Sequence, residues 1–174
     1  MAENLYFMAN GFSTQAALTV SGTPAPVAQP SGASVGHNAL LLQLSVPATR
    51  QINIVEYGVS LSGSPASAQL LLISNNTATA VGATGVILPY SNPNAPASLL
   101  TTASCGYYTA TSGTLLVAGV INSVFDQQLL TTNTYVKQFP LAREPVVPAS
   151  SFCQIVLNVP TTSVTAYSYI VWRE

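Results

Sequence analysis

Charged side chains are scarce in this chain, and their scarcity excludes several functions. Lysine, arginine, aspartate and glutamate make up 5% of the 174 residues, whereas a typical soluble domain carries about 25%. Only four residues are basic and they form no cluster, so the electrostatic driving force for binding nucleic-acid phosphates is missing. We therefore expect no nucleic-acid partner.

Long apolar runs are missing as well. The best candidates, residues 115–121 and 40–42, are far shorter than the ~20 residues that a membrane-spanning helix needs. After Met8 there is also no basic segment followed by an apolar one, as a signal peptide would require. The sequence therefore predicts neither a membrane protein nor a signal peptide.

The side chains from which enzymes build active sites are equally rare. His37 is the only histidine and Asp126 the only aspartate, so a nucleophilic triad would have to use both. The carboxylates are scattered along the chain rather than paired, and zinc ligands are too few for a metal centre. The sequence predicts a non-enzymatic protein without cofactor or metal.

Two cysteines, Cys105 and Cys153, are too few for a disulfide framework and too far apart in sequence for a metal knuckle. Two alternatives remain, a single disulfide bridge or two buried thiols. The thiols are favoured because free cysteine often behaves as a small hydrophobic residue of the core.

What the chain does contain is a series of short segments with β-strand alternation. They are rich in Val, Thr and Tyr, are separated by turn residues, and are accompanied by no convincing amphipathic helix. The predicted strands cover residues 16–21, 39–46, 51–62, 68–74, 104–110, 114–124, 151–159 and 164–173. This pattern predicts an all-β fold, a jelly-roll-like antiparallel β-sandwich of about eight strands with long Pro/Gly-rich loops.

Three local features are expected within this pattern. In residues 51–62 the apolar face changes parity between Ile54 and Val55, which predicts a β-bulge. Residues 63–67 are typical of a turn, so the strands on either side are predicted to form a β-hairpin. One helical turn is expected at residues 125–130.

The first seven residues resemble a vector-derived segment. They contain Glu-Asn-Leu-Tyr-Phe, most of a protease-recognition sequence, so residues 1–7 are predicted to be an expression-tag remnant and Met8 the native start. Residues 8–38 are then an N-terminal arm with a short strand and a Pro/Gly-rich segment, and residues 39–174 form the sandwich domain.

A rigid corner is predicted between Pro140 and Pro145. Each proline removes a backbone donor and pushes the preceding residue toward extended geometry, so this connection is neither helix nor central strand. Arg143 and Glu144 stand between the prolines in a chain with few charges. We expect them to make a specific contact, inside the fold or across an interface, with Glu56 as a further candidate partner.

Tyrosine is the most frequent aromatic residue, with eight copies. Tyr107 and Tyr108 are adjacent, and Tyr167 and Tyr169 alternate on a predicted strand. Exposed in a groove, such rings bind sugars by stacking, but packing in the core and at interfaces is the favoured interpretation.

Three stretches of the chain resemble small virion-associated proteins of tailed bacteriophages and related prophages. They are residues 54–60 (Ile-Val-Glu-Tyr-Gly-Val-Ser), residues 138–145 (Gln-Phe-Pro-Leu-Ala-Arg-Glu-Pro) and residues 164–174. The segment Phe-Pro-Leu-x-Arg-Glu-Pro is the specific one. In that group glycine is usual where Ala142 stands, and the last residues are more acidic than those of this chain.

The resemblance implies a non-enzymatic structural protein of the virion, made in the cytoplasm of the bacterial host and located on the capsid surface. It carries over no catalytic or binding residues. Because a near-neutral surface does little to repel neighbours, low charge agrees with this expectation. We expect a capsid decoration or cement protein, a homo-oligomer and specifically a trimer, that contacts the major capsid protein or another virion protein.

The alternative function is a carbohydrate-binding β-sandwich module, on a phage fibre or in a secreted protein. In this alternative a groove is lined by some of the residues Tyr90, Tyr107, Tyr108, Tyr167, Tyr169 and Trp172, and Tyr107, Tyr108, Tyr167 and Tyr169 are the candidate stacking residues.

Overall fold

The computed structural model describes residues 4–10, 18–20, 39–62, 68–78, 83–100, 105–107, 121–158 and 164–174. These residues contain thirteen β-strands and, among them, no helix. The strands are β1 (Leu5–Ala9), β2 (Leu18–Val20), β3 (Ala39–Ser45), β4 (Ile52–Ser62), β5 (Ala68–Asn75), β6 (Ala83–Thr84), β7 (Leu88–Pro89), β8 (Gly106–Tyr107), β9 (Ile121–Leu130), β10 (Thr134–Gln138), β11 (Val146–Val147), β12 (Phe152–Asn158) and β13 (Val164–Arg173). Eight of them have five residues or more.

The strands form two antiparallel sheets. The first sheet has seven strands in the order β10-β4-β13-β1-β7, with β11 also paired to β4 and β2 also paired to β13. The second sheet has six strands in the order β6-β8-β3-β12-β5-β9. The prediction of an all-β, antiparallel, sandwich-like fold is therefore confirmed.

One hydrophobic core lies between the two sheets. The first sheet contributes Tyr57, Met8 and Trp172, and the second contributes leucine and isoleucine side chains such as Leu42 and Ile155, all fully buried. A smaller cluster on the other face of the second sheet consists of Leu40, Leu71, Ile73 and Val156. Strand β12 is consequently buried on both faces, as its sequence predicts.

The predicted β-bulge in β4 is present. The register of β4 against β13 shifts at Val55, which is an extra residue between Ile54 and Glu56. In consequence Ile54 and Tyr57, three residues apart, both face the core and are fully buried.

Two expected local structures are wrong. The predicted hairpin does not form, because β4 lies in the first sheet and β5 in the second. The helical turn expected at residues 125–130 is instead part of β9, which pairs with β5. Most of the two strands predicted at residues 104–110 and 114–124 lies outside the described residues.

The first sheet includes strands from the N-terminal part of the chain. β1 begins at Leu5, within the segment that resembles a vector tag, and β2 lies within the strand predicted at residues 16–21. Both pair with β13, so the sheet extends to residues before position 39. The vector origin of residues 1–7 stays a prediction, but Tyr6 and Met8 are both core residues.

Asn10 follows β1 and continues its pairing with β13 through its side chain. Its Nδ2 donates to the Ala166 carbonyl at 3.1 Å, and its Oδ1 accepts from the Ser168 N–H at 2.5 Å. Its own N–H donates to the Ser168 carbonyl at 3.0 Å. The side chain is 3% exposed and satisfies two buried backbone groups of β13.

Candidate functional site

The proline-bracketed corner projects from the edge of the first sheet. We call residues 139–145 the corner loop; it lies between β10 and β11, which both pair with the same side of β4. Phe139 N donates to the Val55 carbonyl at 2.9 Å, and Ile54 N donates to the Pro145 carbonyl at 2.9 Å. Both ends of the corner loop are therefore fixed to the bulge in β4.

Two side chains anchor the corner loop further. The Phe139 ring stacks on Tyr57, with 6.4 Å between centroids, and packs against the core. Glu144 is buried and forms an ion pair with Arg173 of β13, with 3.2 Å between Oε1 and Nη2. Because β4 lies between the corner loop and β13, this ion pair ties the loop across a neighbouring strand.

The contacts predicted for Arg143 are absent from the described residues. Its side chain is exposed and forms no hydrogen bond or ion pair with another residue that the structure describes. Glu144 pairs with Arg173 instead, and Glu56 Oε1 accepts a hydrogen bond from the Tyr169 hydroxyl at 2.6 Å. A rigid corner could be predicted from the two prolines, but the partner of each charge could not.

A tight turn forms the tip of the corner loop. Arg143 N donates to the Pro140 carbonyl at 2.9 Å, and Ala142, third in the turn, has a φ of 63°. This left-handed conformation favours glycine, which has no Cβ to crowd the backbone. Leu141, second in the turn, is 82% exposed. The turn therefore holds an apolar side chain in solvent on a well-anchored backbone.

A second surface, which we call the aromatic face, covers the outer side of the first sheet. It consists of Phe7, Tyr90, Val136, Tyr167 and Tyr169. The Phe7 ring stacks on Tyr90 at 6.1 Å and on Tyr169 at 5.8 Å between centroids. Tyr167 is 53% exposed, and Tyr90 and Val136 are exposed to a similar degree. A shallow depression of about 190 Å³ is lined by Phe7, Val136, Tyr167 and Tyr169 but not by Tyr90.

Close packing flattens the centre of the aromatic face. The Tyr169 ring lies over Gly58, where a Cβ atom would be 2.3 Å from the ring. The Tyr169 hydroxyl binds Glu56, the one charged residue of β4, and burial together with this carboxylate raises the pKa of Tyr169. The only charge that β4 carries is thereby hydrogen-bonded within the chain.

Of the four tyrosines predicted to stack on sugars, Tyr167 and Tyr169 lie on the aromatic face. Tyr107 belongs to β8 in the second sheet, and Tyr108 lies outside the described residues. Tyr90, a further candidate for this groove, also lies on the aromatic face, whereas Trp172 is fully buried in the core. Phe7 was not predicted as a site residue. The alternation of residues 5–9 was a usable signal for Phe7, but the resemblance to a vector tag outweighed it.

Asp126 links the two sheets. Its Oδ2 accepts from the hydroxyls of Tyr57 at 2.8 Å and Tyr135 at 2.7 Å, and its Oδ1 accepts from Gln128 Nε2 at 2.8 Å. Burial alone would raise the pKa of Asp126, but these hydrogen bonds and nearby Lys137 outweigh burial and lower it. Burial and the carboxylate raise the pKa of Tyr135 to about 12. Asp126 therefore has a structural role, because its carboxylate connects the two sheets by hydrogen bonds.

Reactive groups do not converge in the described residues. No three His, Cys, Asp or Glu side chains there could hold a metal ion, and His37 lies outside them. Cys105 and Cys153 are free and buried, which confirms the prediction of two thiols, and burial raises the pKa of Cys105 to about 11. The described part of the chain also contains no helix long and apolar enough to span a bilayer.

Comparisons of the chain with protein-family models, with curated proteins and with solved structures give no match.

Proposed function

We propose that this protein is a non-enzymatic structural protein of a phage virion, a decoration or cement protein that binds the capsid surface as a homo-oligomer, specifically a trimer. A jelly-roll-like topology and an origin in the bacterial host cytoplasm belong to the same proposal. The observation that carries it is the aromatic face, a broad sheet surface with exposed apolar and aromatic groups whose one carboxylate, that of Glu56, is already hydrogen-bonded.

The composition of the aromatic face favours contact with a second copy of the chain. In a symmetric assembly the same surface patch recurs on every subunit, so unpaired charges of one sign would be brought close together. Tyrosine is enriched at interfaces because its ring buries apolar area while its hydroxyl stays satisfied at the rim. Tyr167 and Val136 supply exposed area of this kind, with no free charge beside them on β4.

Size-exclusion chromatography with light scattering tests the assembly. We expect a mass of three times the 18.0 kDa chain for the wild-type protein. The double variant Tyr167→Ser, Val136→Ser should shift toward the monomer mass. Leu129→Ser, which changes an exposed leucine on β9 of the second sheet, is the matched control and should leave the mass unchanged. A wild-type monomer at high concentration that also fails to bind capsids would overturn the proposal.

Carbohydrate binding is the second candidate, and the exposed rings of Tyr90 and Tyr167 favour it. Each of these tyrosines is more than half exposed on the aromatic face, so a pyranose ring could stack on it. A glycan array should then give hits for the wild-type protein that are lost in Tyr167→Ala. An array without hits would remove this candidate.

A further inference from the structure

The ring of Tyr169 lies flat along the aromatic face because two residues of β4 fix it there. Tyr169 of β13 pairs with Gly58 of β4, and a Cβ atom at Gly58 would collide with the ring. The Tyr169 hydroxyl reaches Glu56, whose Oε1 accepts its hydrogen bond at 2.6 Å. Because Glu56 and Gly58 are two residues apart on one strand, both project from the outer side of the first sheet.

Two further rings depend on the position of Tyr169. Phe7 of β1 stacks on Tyr169, with 5.8 Å between centroids, and Tyr90 stacks on Phe7 at 6.1 Å. Side chains of a strand ordinarily stand upright on the sheet, so a Tyr169 ring without its two contacts on β4 would be free to rise. Glu56 thereby fixes the first ring of a series of three that come from separate parts of the chain.

The hydrogen bond between Tyr169 and Glu56 belongs to a strong class. A bond from a hydroxyl to a carboxylate is shorter than one between neutral groups and about twice as strong, and the 2.6 Å distance agrees with this class. Burial and then this carboxylate raise the pKa of Tyr169, so the hydroxyl keeps its proton and continues to donate it.

Aromatic rings that are ordered before binding give a tighter interface. Each mobile side chain that must be immobilised on association weakens binding by about two- to tenfold. The rings of Tyr169, Phe7 and Tyr90 are already stacked within one chain, so little freedom remains to be lost by them when a partner packs against the aromatic face.

We propose that Glu56 is a positioning residue of the aromatic face. Through the Tyr169 hydroxyl, and in the space that Gly58 leaves, it holds the three rings in the arrangement against which a second copy of the chain packs. This inference rests on the proposed function and deepens it, because it names the residues that prepare the surface for assembly.

A double-mutant cycle on the oligomer tests the inference, with masses measured by light scattering over a dilution series. Glu56→Ala and Tyr169→Phe each remove the hydrogen bond. Each should raise the concentration at which half of the oligomer dissociates about tenfold, as expected when two rings become mobile. The double variant should be no weaker than either single variant, because both changes remove the same contact. Glu56→Gln keeps an oxygen acceptor for the hydroxyl and should assemble nearly as the wild-type protein does.

Tyr135→Phe is the matched control for Tyr169→Phe. It also removes a hydroxyl that donates to a carboxylate, that of Asp126, but Tyr135 packs against the core, so assembly should be unchanged. Urea unfolding of each variant shows whether its fold is kept. Tyr169→Phe retains the ring on the surface of the sheet and should unfold close to the wild-type protein.

If the wild-type protein assembles and Glu56→Ala and Tyr169→Phe assemble equally well, this inference is wrong while the proposed function stands. If the wild-type protein is a monomer, the proposed function fails and the inference with it. Additive losses in the double variant would show that Glu56 contacts the neighbouring copy directly. An equal loss in Glu56→Gln would show that the charge of Glu56 matters rather than its hydrogen bond, and either result would overturn the positioning role.

Discussion

At the scale of single residues, the tip of the corner loop combines a closed turn with an exposed apolar side chain. Ala142 is the third residue of the turn, and the side chain of Leu141 is in solvent. The hydrogen bond from Arg143 to Pro140 closes a turn whose third residue, Ala142, is in the left-handed conformation. Alanine does so at a cost, because its Cβ crowds the following carbonyl oxygen. The neighbouring anchors of the loop hold this conformation in place.

Ala142→Gly should therefore stabilise the protein. Removing the Cβ relieves a cost of about 1–2 kcal/mol, and the greater freedom of glycine in the unfolded chain returns about half of it. We expect a net gain of about 0.5–1 kcal/mol in the free energy of urea unfolding. Ala97→Gly, at an exposed site without positive φ, is the control and should lose stability. A loss at both positions would contradict the account of the turn.

Asn10 should be among the polar side chains whose loss is most damaging. Asn10→Ala would leave the Ala166 carbonyl and the Ser168 N–H buried without these partners, at about 1–3 kcal/mol for each group. The free energy of urea unfolding should fall by about 2 kcal/mol or more, because two buried groups lose their partners. Asn92→Ala removes a hydrogen bond in an exposed turn and should change stability by less than about 0.5 kcal/mol. Equal losses in the two variants would refute this role.

At the scale of elements, β9 and β10 lie at edges of different sheets, and Asp126 connects them. The carboxylate on β9 binds Tyr57 of β4 and Tyr135 of β10, with Lys137 of β10 nearby. The ionised carboxylate therefore stabilises the packing of one sheet on the other.

This connection predicts a loss of stability in acid. The pKa of Asp126 is lower in the folded protein than the value of about 3.9 in an unfolded chain, so its contribution is present above that pH and disappears as the pH falls below it. The urea midpoint of Asp126→Asn should fall less between pH 6 and pH 2.5 than that of the wild-type protein, because the amide does not titrate. Stability is also lost in alkali. The pKa of Tyr135 is about 12 in the folded protein and about 10 in an unfolded chain, so the protonated hydroxyl favours the folded state and its contribution disappears as the pH rises above about 10. Parallel acid profiles for the two proteins would contradict the role of Asp126.

Deleting most of strand β1 tests whether the residues that resemble a vector tag contribute to the stability of the fold. Removing residues 1–7 deletes Tyr6, which is buried, stacks on Trp172 and donates to the Pro96 carbonyl at 2.9 Å. Losing a buried aromatic side chain costs about 3–5 kcal/mol, so calorimetry should show a clearly lower Tm. Tyr6→Ala in the full chain should reproduce most of the loss. An unchanged Tm after truncation would mean that β1 contributes nothing to stability.

The sequence allowed the type and length of several elements to be predicted, but not the sheet to which each belongs. Alternation identified β3, β4, β5, β12 and β13, and the change of parity located the bulge at Val55. Alternation marks the buried face of a strand and is silent about its neighbours, so the expected β4–β5 hairpin was wrong. For the same reason the exposure of Tyr167 and the pairing of Glu144 with Arg173 needed the folded structure, because both depend on which strands are adjacent.

At the scale of the whole molecule, the proposed assembly through the aromatic face should be insensitive to salt. The aromatic face has no free charge from β4, so the oligomer mass should be the same at about 0.05 M and about 1 M NaCl, although the Debye length falls to about 3 Å at 1 M. Light scattering in matched buffers measures the effect. Dissociation of the oligomer in salt would show that charge holds it together.

The position of the corner loop also limits how copies of the chain can polymerise. A foreign strand adds to a sheet only along an unbroken row of free N–H and C=O groups. Opposite Ile54 and Val55 the loop leaves the line of β10 and β11, and its two prolines offer no N–H. Growth into fibrils along this border is obstructed, so copies of the chain can meet at high concentration without extending the first sheet there.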